Sequence, residues 1–427
     1  MIQDLLTFLD HSPSRFHAVA NLCGELEAAG YTRLNEGETR PMAPGGKYYV
    51  TRGSSALLAF RIPRPDFTGF MISASHSDAP TFRIKENAEV EGPEGYLRLN
   101  AERYGGMLCA PWLDRPLTVA GRVLVRDGSE AIASRLVYVD RDLLLIPNVA
   151  IHMNRTANEG FQYDPKCDMV PLMGMKLAKG TFREIVAQAA GCGAGDILGT
   201  DLCLCLRQKG VIWGAENQFI SAARLDDLQC AWGCFRGFME ARDSASVPVY
   251  ALMDNEEIGS RTKQGAGGTF MIDWMKRICD SVGRERLSAI ANSFLVSADN
   301  AHAVHPNHPE YADPTHRPAM NGGVVIKHGV RYTTGGVACA VFSALCERAG
   351  VPTQHFANRS DLPGGGTLGL IANTHVSINA VDIGLAQLAM HSCFETAGVK
   401  DTDYLIQAMT AFYSASFREE NERFTLE

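Results

Sequence analysis

The apolar run Val247, Pro248, Val249, Tyr250, Ala251 and Leu252 leads straight into Met253-Asp254-Asn-Glu256-Glu257-Ile-Gly-Ser260. A run of that length reads as a buried strand. Three carboxylates at its carboxyl end are costly to desolvate unless something there uses them. Ligands of open α/β sheets bind at the carboxyl ends of the strands, so this junction marks where a site would lie. Taken alone, Asp-Asn-Glu-Glu is more simply an acidic turn with solvated side chains. The rest of the chain repeats the pattern, and the repetition favours the site.

Gly69 to Ser75 reads as a strand ending at His76-Ser-Asp78, where a carboxylate two residues on can hold the second imidazole nitrogen and fix the metal-binding tautomer. Before it, residues 12–30 pattern as an amphipathic helix opening at Ser12-Pro13, followed by strands at Lys47–Arg52 and Ala56–Ile62. From about Ala79 to Arg207 the texture changes. Short alternating runs such as Leu117–Val125 and Arg135–Val139 predict antiparallel β structure with one helix, Thr181–Ala190. The α/β rhythm resumes at Val211. The chain therefore reads as an α/β catalytic domain built from residues 1–79 and 208–427, with a β-rich domain, 80–207, inserted.

In the second half, Ala223-Arg-Leu-Asp226-Asp227-Leu228 opens a helix to about Ala241, and acids in a first helical turn are ordinarily caps. Ser293–Ser297 is a strand ending in Asp299-Asn-Ala-His302-Ala-Val-His305, its two histidines a helical turn apart. Val324–Ile326 leads to Lys327, Val337–Ala349 reads as a helix and Thr353–Ala357 as a strand. The charge-free stretch Leu362–Val381 reads as a loop followed by a strand, Val376–Ile383, with His391 beyond it. It is no membrane span. Its glycines, Gly364 to Gly366, lack the Gly-Lys-Ser/Thr ending of a phosphate loop.

The formal charge is −8 with basic residues scattered, so no electrostatic footprint for nucleic acid is present. Twelve cysteines are spread without a Cys-x-x-Cys pair, and the N-terminus has no basic region or cleavage site, which predicts reduced thiols and a cytoplasmic protein.

The strand-end residues are His76, Asp226 or Asp227, Glu256 or Glu257, Asp299 and His391. Two imidazoles and three carboxylates without a thiolate suit zinc, manganese or cobalt, and exceed what one tetrahedral zinc needs. A pair of divalent ions sharing one carboxylate fits better. Two such ions can hold a hydroxide at neutral pH, and the spare glutamate can then act as general base in amide hydrolysis.

Ser-His76-Ser-Asp78-Ala-Pro, Arg224-Leu-Asp226, Asp254-Asn-Glu256-Glu257-Ile-Gly-Ser, Ser297-Ala-Asp299-Asn-Ala-His302-Ala-Val-His305-Pro-Asn and Gln387-Leu-Ala-Met-His391-Ser closely resemble the ordered motifs of the M18 metallopeptidases, the aspartyl aminopeptidase family. The resemblance runs nearly end to end. It implies a mixed-sheet zinc-exopeptidase (phosphorylase/hydrolase-like) catalytic domain and an inserted dimerisation domain. It also implies that His76 and Asp299 hold one metal, Glu257 and His391 the other, and that Asp226 bridges them. Glu256 would be the base and Asp78 the partner of His76. Ile146-Pro to Arg155 resembles the segment whose histidine, here His152, reaches a neighbouring subunit's active site, in dimers that assemble into a dodecamer acting on peptides. His302, Lys327 and Tyr332 would bind substrate, and a lysine there favours an acidic first residue. The chain departs from the family at Gly364, where a cysteine is usual, near Leu370, where a proline is, and at Leu385-Ala, which replaces Xaa-Pro. These departures touch the pocket and no ligand, so a neutral or broad preference is the alternative. An N-acyl amidohydrolase or carboxypeptidase, and a non-catalytic assembly subunit, are the readings from other classes.

Overall fold

A computed structural model describes residues 1–427. Its largest element is a mixed nine-stranded sheet. The order across the sheet is Thr32–Leu34, Lys47–Arg52, Ala56–Arg61, Val247–Met253, Phe70–His76, Phe294–Ala298, Asn379–Gly384, Val324–His328 and Thr353–Ala357. The four strands Val247–Met253, Phe70–His76, Phe294–Ala298 and Asn379–Gly384 lie side by side and parallel. Their carboxyl ends therefore open on one edge, where the polar residues collect.

Both faces of this sheet are covered, which is why its central strands are apolar almost throughout. Alternation sends Met71, Tyr250, Leu252 and Val296 to one core, with the helices Leu225–Glu240 and Asp401–Tyr413. It sends Phe70, Ile72, Val249 and Ala251 to the other. There Phe270, Trp274 and Ile278 recur at four-residue spacing on the helix Phe270–Val282, so one helical stripe faces the sheet. Each such side chain contributes about 1.5–3 kcal/mol on burial.

Six further strands form a separate antiparallel sheet, in the order Ala131–Tyr138, Leu117–Asp127, Ile197–Leu206, Thr81–Glu91, Tyr96–Tyr104 and Leu172–Met175. It has its own core, including Phe82, Trp112, Val119 and Leu204, covered in part by the helix Thr181–Ala190. The chain is thus a mixed α/β protein with an inserted β-rich region. A five-stranded sheet, Val211–Trp213, Phe219–Ala222, Glu395–Gly398, Ala386–Leu388 and Ala301–His302, includes the strands that follow Asp299 and precede His391.

Lys47–Arg52, Thr181–Ala190 and Thr353–Ala357 have the predicted bounds. Three expectations are corrected. Leu368–Asn373 is a helix where a loop was expected, and the strand after it starts at Asn379, not Val376. Its glycine and asparagine are poor helix formers, but burial of Leu368 and Ala372, four apart, overrides propensity. His302 lies in an extended strand and not on a helix with His305. At Asp226 and Asp227 the backbone is non-helical, so the helical turns start beyond both. The helix Ile2–Asp10, which packs Leu5, Leu6, Phe8 and Leu9 into the first core, was not foreseen. No helix is long and apolar enough to cross a membrane.

His17, on the helix Arg15–Ala28, links this packing to pH. Its Nδ1 lies 2.8 Å from Ser14 Oγ, and burial, then the Arg224 guanidinium, pulls its pKa down to about 4. Below the free-histidine value of about 6.5 the unfolded chain takes a proton that the native state resists. Stability should therefore fall as pH drops from about 6.5 to about 4. Urea denaturation across that range should show a smaller loss in His17→Gln, and equal slopes for both proteins would refute this role.

Candidate metal centre

The parallel strands deliver the site in register. His76 is opposite Met253 on the neighbouring strand, so the turn carrying Glu256 and Glu257 leaves beside it. Phe294–Ala298 flanks the other side and releases Asp299. The segment Arg224–Asp227 supplies Asp226, and the turn after Ala386–Leu388 supplies His391.

Five of the predicted ligands meet. His76, Asp226 and Asp299 offer donor atoms within 4.8 Å of one another, and so do Asp226, Glu257 and His391. Asp226 belongs to both groups. Its Oδ1 lies 3.5 Å from His76 Nε2 and its Oδ2 lies 3.5 Å from His391 Nε2. His391 Nε2 is also 3.4 Å from Glu257 Oε1, and His76 Nε2 is 3.9 Å from Asp299 Oδ1. Asp226 and Asp227 differ in direction. Asp227 turns its Oδ2 back to accept the His76 backbone N–H at 3.0 Å.

Electrostatics argue for cations here. His76, Asp226, Asp227 and Asp299 are all buried. Burial works against the charged imidazole of His76, but Asp226, Asp299 and Asp78 hold its pKa well above the usual value. Glu257 is driven well above the carboxylate range by burial and by Asp226. Asp226 Oδ1 and Glu257 Oε1 are buried without a hydrogen-bond partner. Unsatisfied buried carboxylate oxygens are costly, and divalent cations remove that cost. Nitrogen and oxygen donors without sulfur match zinc, manganese and cobalt, so the residues present fit two metal ions.

A second layer holds the ligands. His76 Nδ1 is 3.0 Å from the backbone carbonyl oxygen of Asp78, closer than the Asp78 carboxylate at 3.5 Å. That carboxylate instead accepts from Tyr104 Oη at 2.7 Å and from the backbone N–H groups of Glu256 and Glu257 at 3.1 and 3.2 Å. The residue read as a clamp on His76 thus also ties down the Glu256–Glu257 turn. Asn255, at φ +62°, donates to Tyr104 Oη at 2.7 Å and accepts from Thr262 Oγ1 at 2.9 Å. The side-chain bonds hold a backbone conformation that non-glycine residues rarely adopt.

Two of these residues were not found in the sequence. Tyr104 comes from the inserted sheet, and Glu395 accepts from the backbone N–H of Asp226 at 3.0 Å and of His391 at 2.8 Å. Burial, then Asp226, pushes Glu395 up to about 8. Tyr104 ends a strand of the inserted sheet and Glu395 opens a short strand of the five-stranded sheet, so neither stands at the carboxyl end of a buried parallel strand, where the sequence pattern is read.

Glu256 is half-buried, pushed up to about 7 by burial and by Asp299, Asp78 and Asp226, with His76 opposing. Lys327 is buried, its Nζ 3.6 Å from Asp299 Oδ2 and 5.8 Å from the Tyr332 ring centre. His302 is exposed, its ring edge-on to Phe356 at 5.8 Å. His152 is exposed in the inserted region and belongs to neither metal-binding group.

Residues 8–413 match the family model described as aminopeptidase I zinc metalloprotease (M18). A "Probable M18 family aminopeptidase 2" of Clostridium acetobutylicum is 42% identical over 422 residues, covering 96% of this chain and 98% of the relative. A protein of the same description from Pseudomonas aeruginosa is 40% identical over 425 residues, covering 97% and 98%. Among solved structures, the Ape4–Nbr1 complex matches with a TM-score of 0.93 and 32% identity over 97% of this chain and 85% of that one. The S. cerevesiae mApe1 dodecamer matches with a TM-score of 0.85 and 28% identity over 96% of each chain.

Because Glu395 orients two ligands through their backbones, Glu395→Ala should weaken metal affinity about 10–100-fold. Competition with a chromophoric chelator measures this. Unchanged affinity in a folded variant would show that the two N–H bonds do not hold the ligands.

Proposed function

The chain belongs to the M18 family of zinc metalloproteases, and on that premise we propose that it removes single residues from peptide N-termini with a preference for Asp and Glu. The observation that carries the reading is Asp226, whose two oxygens are divided evenly between His76 and His391. His76 and Asp299 would hold one ion, Glu257 and His391 the other, with Asp226 between them and zinc as the metal. When bound, such ions polarise the scissile carbonyl and acidify water.

The proton steps fall to Glu256. Its carboxylate accepts a proton from the attacking water and passes it to the departing amine nitrogen. A pKa near neutrality suits a group that must do both. Asp78 positions it by accepting its backbone N–H. Lys327 and Tyr332 would line the pocket for the first side chain, with His302 at its mouth, and the lysine ammonium supports acidic residues. One observation favours a second reading, a neutral or broad preference. Lys327 already faces Asp299 at 3.6 Å, which reduces the charge it presents to substrate.

The inserted region, residues 80–207, would be the dimerisation domain. It leaves Ile132, Val149, Ile151, Met153, Met175 and Leu177 exposed, apolar side chains that a second subunit would cover. Dimers would assemble into a dodecamer, the state in which S. cerevesiae mApe1 was solved, placing His152 at a neighbour's site, where it would stabilise the charge that develops on the substrate carbonyl oxygen. Free cysteines throughout suit the cytoplasm.

Glu256→Gln should lower kcat by about 10²–10⁴-fold with metal content retained. Activity surviving that change would assign the proton transfer elsewhere. A panel of aminoacyl anilides should rank Asp and Glu above Leu, Ala and Lys. The reverse ranking would select the neutral pocket, equal cleavage of N-acylated peptides would point to an amidohydrolase, and no turnover at all to an assembly subunit. If His152 acts across subunits, oligomers reassembled from His152→Ala and Glu256→Gln chains should regain activity that neither parent has. A mixture no more active than its parents would place His152 outside catalysis.

A further inference from the structure

The strand Val324–His328 has two faces with different tasks. Val325 and Lys327 point toward the metal centre, and Phe356 on the paired strand Thr353–Ala357 joins them. Val324 and Ile326 point the other way, into the core that holds the helix Gly336–Ala349. By the period of two, His328 belongs to this second face, as does His355, paired with Ile326. Cys339 sits in the first turn of the covering helix.

These three side chains converge. His328, Cys339 and His355 offer nitrogen and sulfur donors within 4.8 Å of one another. His328 Nε2 and His355 Nδ1 are 2.8 Å apart, a contact that one proton must bridge. His316 stands next to them, its ring centre 6.4 Å from that of His328, with its Nδ1 held 3.0 Å from Asp313 Oδ1. A carboxylate on one imidazole nitrogen is the arrangement that readies the other for a metal. His328 and Cys339 are half-buried and His355 is exposed, so an ion can reach the site from solvent.

We propose that His328, Cys339 and His355 form a third divalent-metal site, of mixed nitrogen and sulfur character, on the face of the sheet opposite the catalytic pair. Two histidines and a thiolate select zinc-class ions and not magnesium or calcium. Binding replaces the proton shared by the two rings. At a Zn–N length of about 2.0 Å the ring nitrogens separate to about 3.3 Å, a movement of a few tenths of an ångström at the end of an edge strand. Three protein ligands leave a fourth position for water or for His316. Lys327, one residue from His328, lies on the catalytic face, so this site adjoins the substrate pocket without sharing a ligand with the catalytic ions.

The two sites differ in one spectroscopic respect, because the catalytic ligands contain no sulfur. Full-length protein stripped with a chelator and reconstituted with Co²⁺ under reducing conditions should show a sulfur-to-cobalt charge-transfer band in the near ultraviolet, with cobalt bound beyond the catalytic pair. Cys339→Ser should abolish the band and the extra cobalt while the sulfur-free visible bands and peptidase activity persist. His355→Ala should weaken the extra site at least about 10-fold. A wild-type protein with no thiolate band, or a band that survives Cys339→Ser, would overturn the proposal. Loss of the sulfur-free bands would instead count against the catalytic pair and leave the third site standing.

Discussion

The buried carboxylate surplus at the carboxyl edge of the central sheet is the constraint on which the rest depends. Asp226, Asp227, Asp299 and Glu257 face two imidazoles, His76 and His391, and one ammonium, Lys327 at Asp299, in a space where water is scarce. Charge left unbalanced in such a place is strongly destabilising. The arrangement makes sense once each acid has its own task. Asp226 faces both histidines, Asp227 fastens the backbone at His76, and Glu257 and Asp299 complete one triad each.

Precision at those atoms comes from residues that touch no metal. Asp78 and Glu395 each accept two backbone N–H groups, so the Glu256–Glu257 turn and the Asp226 and His391 segments are tied by buried carboxyl groups. Tyr104 carries the network across to the inserted sheet, donating to Asp78 while accepting from Asn255. The inserted region is therefore part of the centre's support and cannot be a passive appendage. Packing is close here as well. A Cβ on Gly384 would lie 2.0 Å from the carbonyl oxygen of Asp299, so the strand bearing Gly384 and the loop bearing Asp299 meet backbone to backbone.

One strand at the far side shows how a sheet can hold two chemistries apart. In Val324–His328, Lys327 faces Asp299 and Tyr332, while its neighbour His328 faces His355 and Cys339. Adjacent residues are thus insulated by the thickness of the sheet, a direct result of strand geometry. A change at either one acts on its own face.

The sequence by itself determined the strand-end pattern, because a buried parallel strand must be an apolar run and its polar terminus stands out against it. His76 and Asp299 were legible in that way, and the β-rich texture of residues 80–207 from its short alternating runs, whereas His391 follows a short strand of a separate sheet. The family motifs singled out Asp226 over Asp227 and assigned Glu256 and Glu257 their separate roles. The contribution of Tyr104 and Glu395, and the helix at Leu368–Asn373, were decided only by the tertiary structure. A hydrogen bond to a backbone N–H leaves no mark in residue spacing, and a short helix of weak formers exists only because its apolar residues find a core. The meeting of His328, Cys339 and His355 belongs with these, since strand pairing and a covering helix join residues that the chain itself keeps apart.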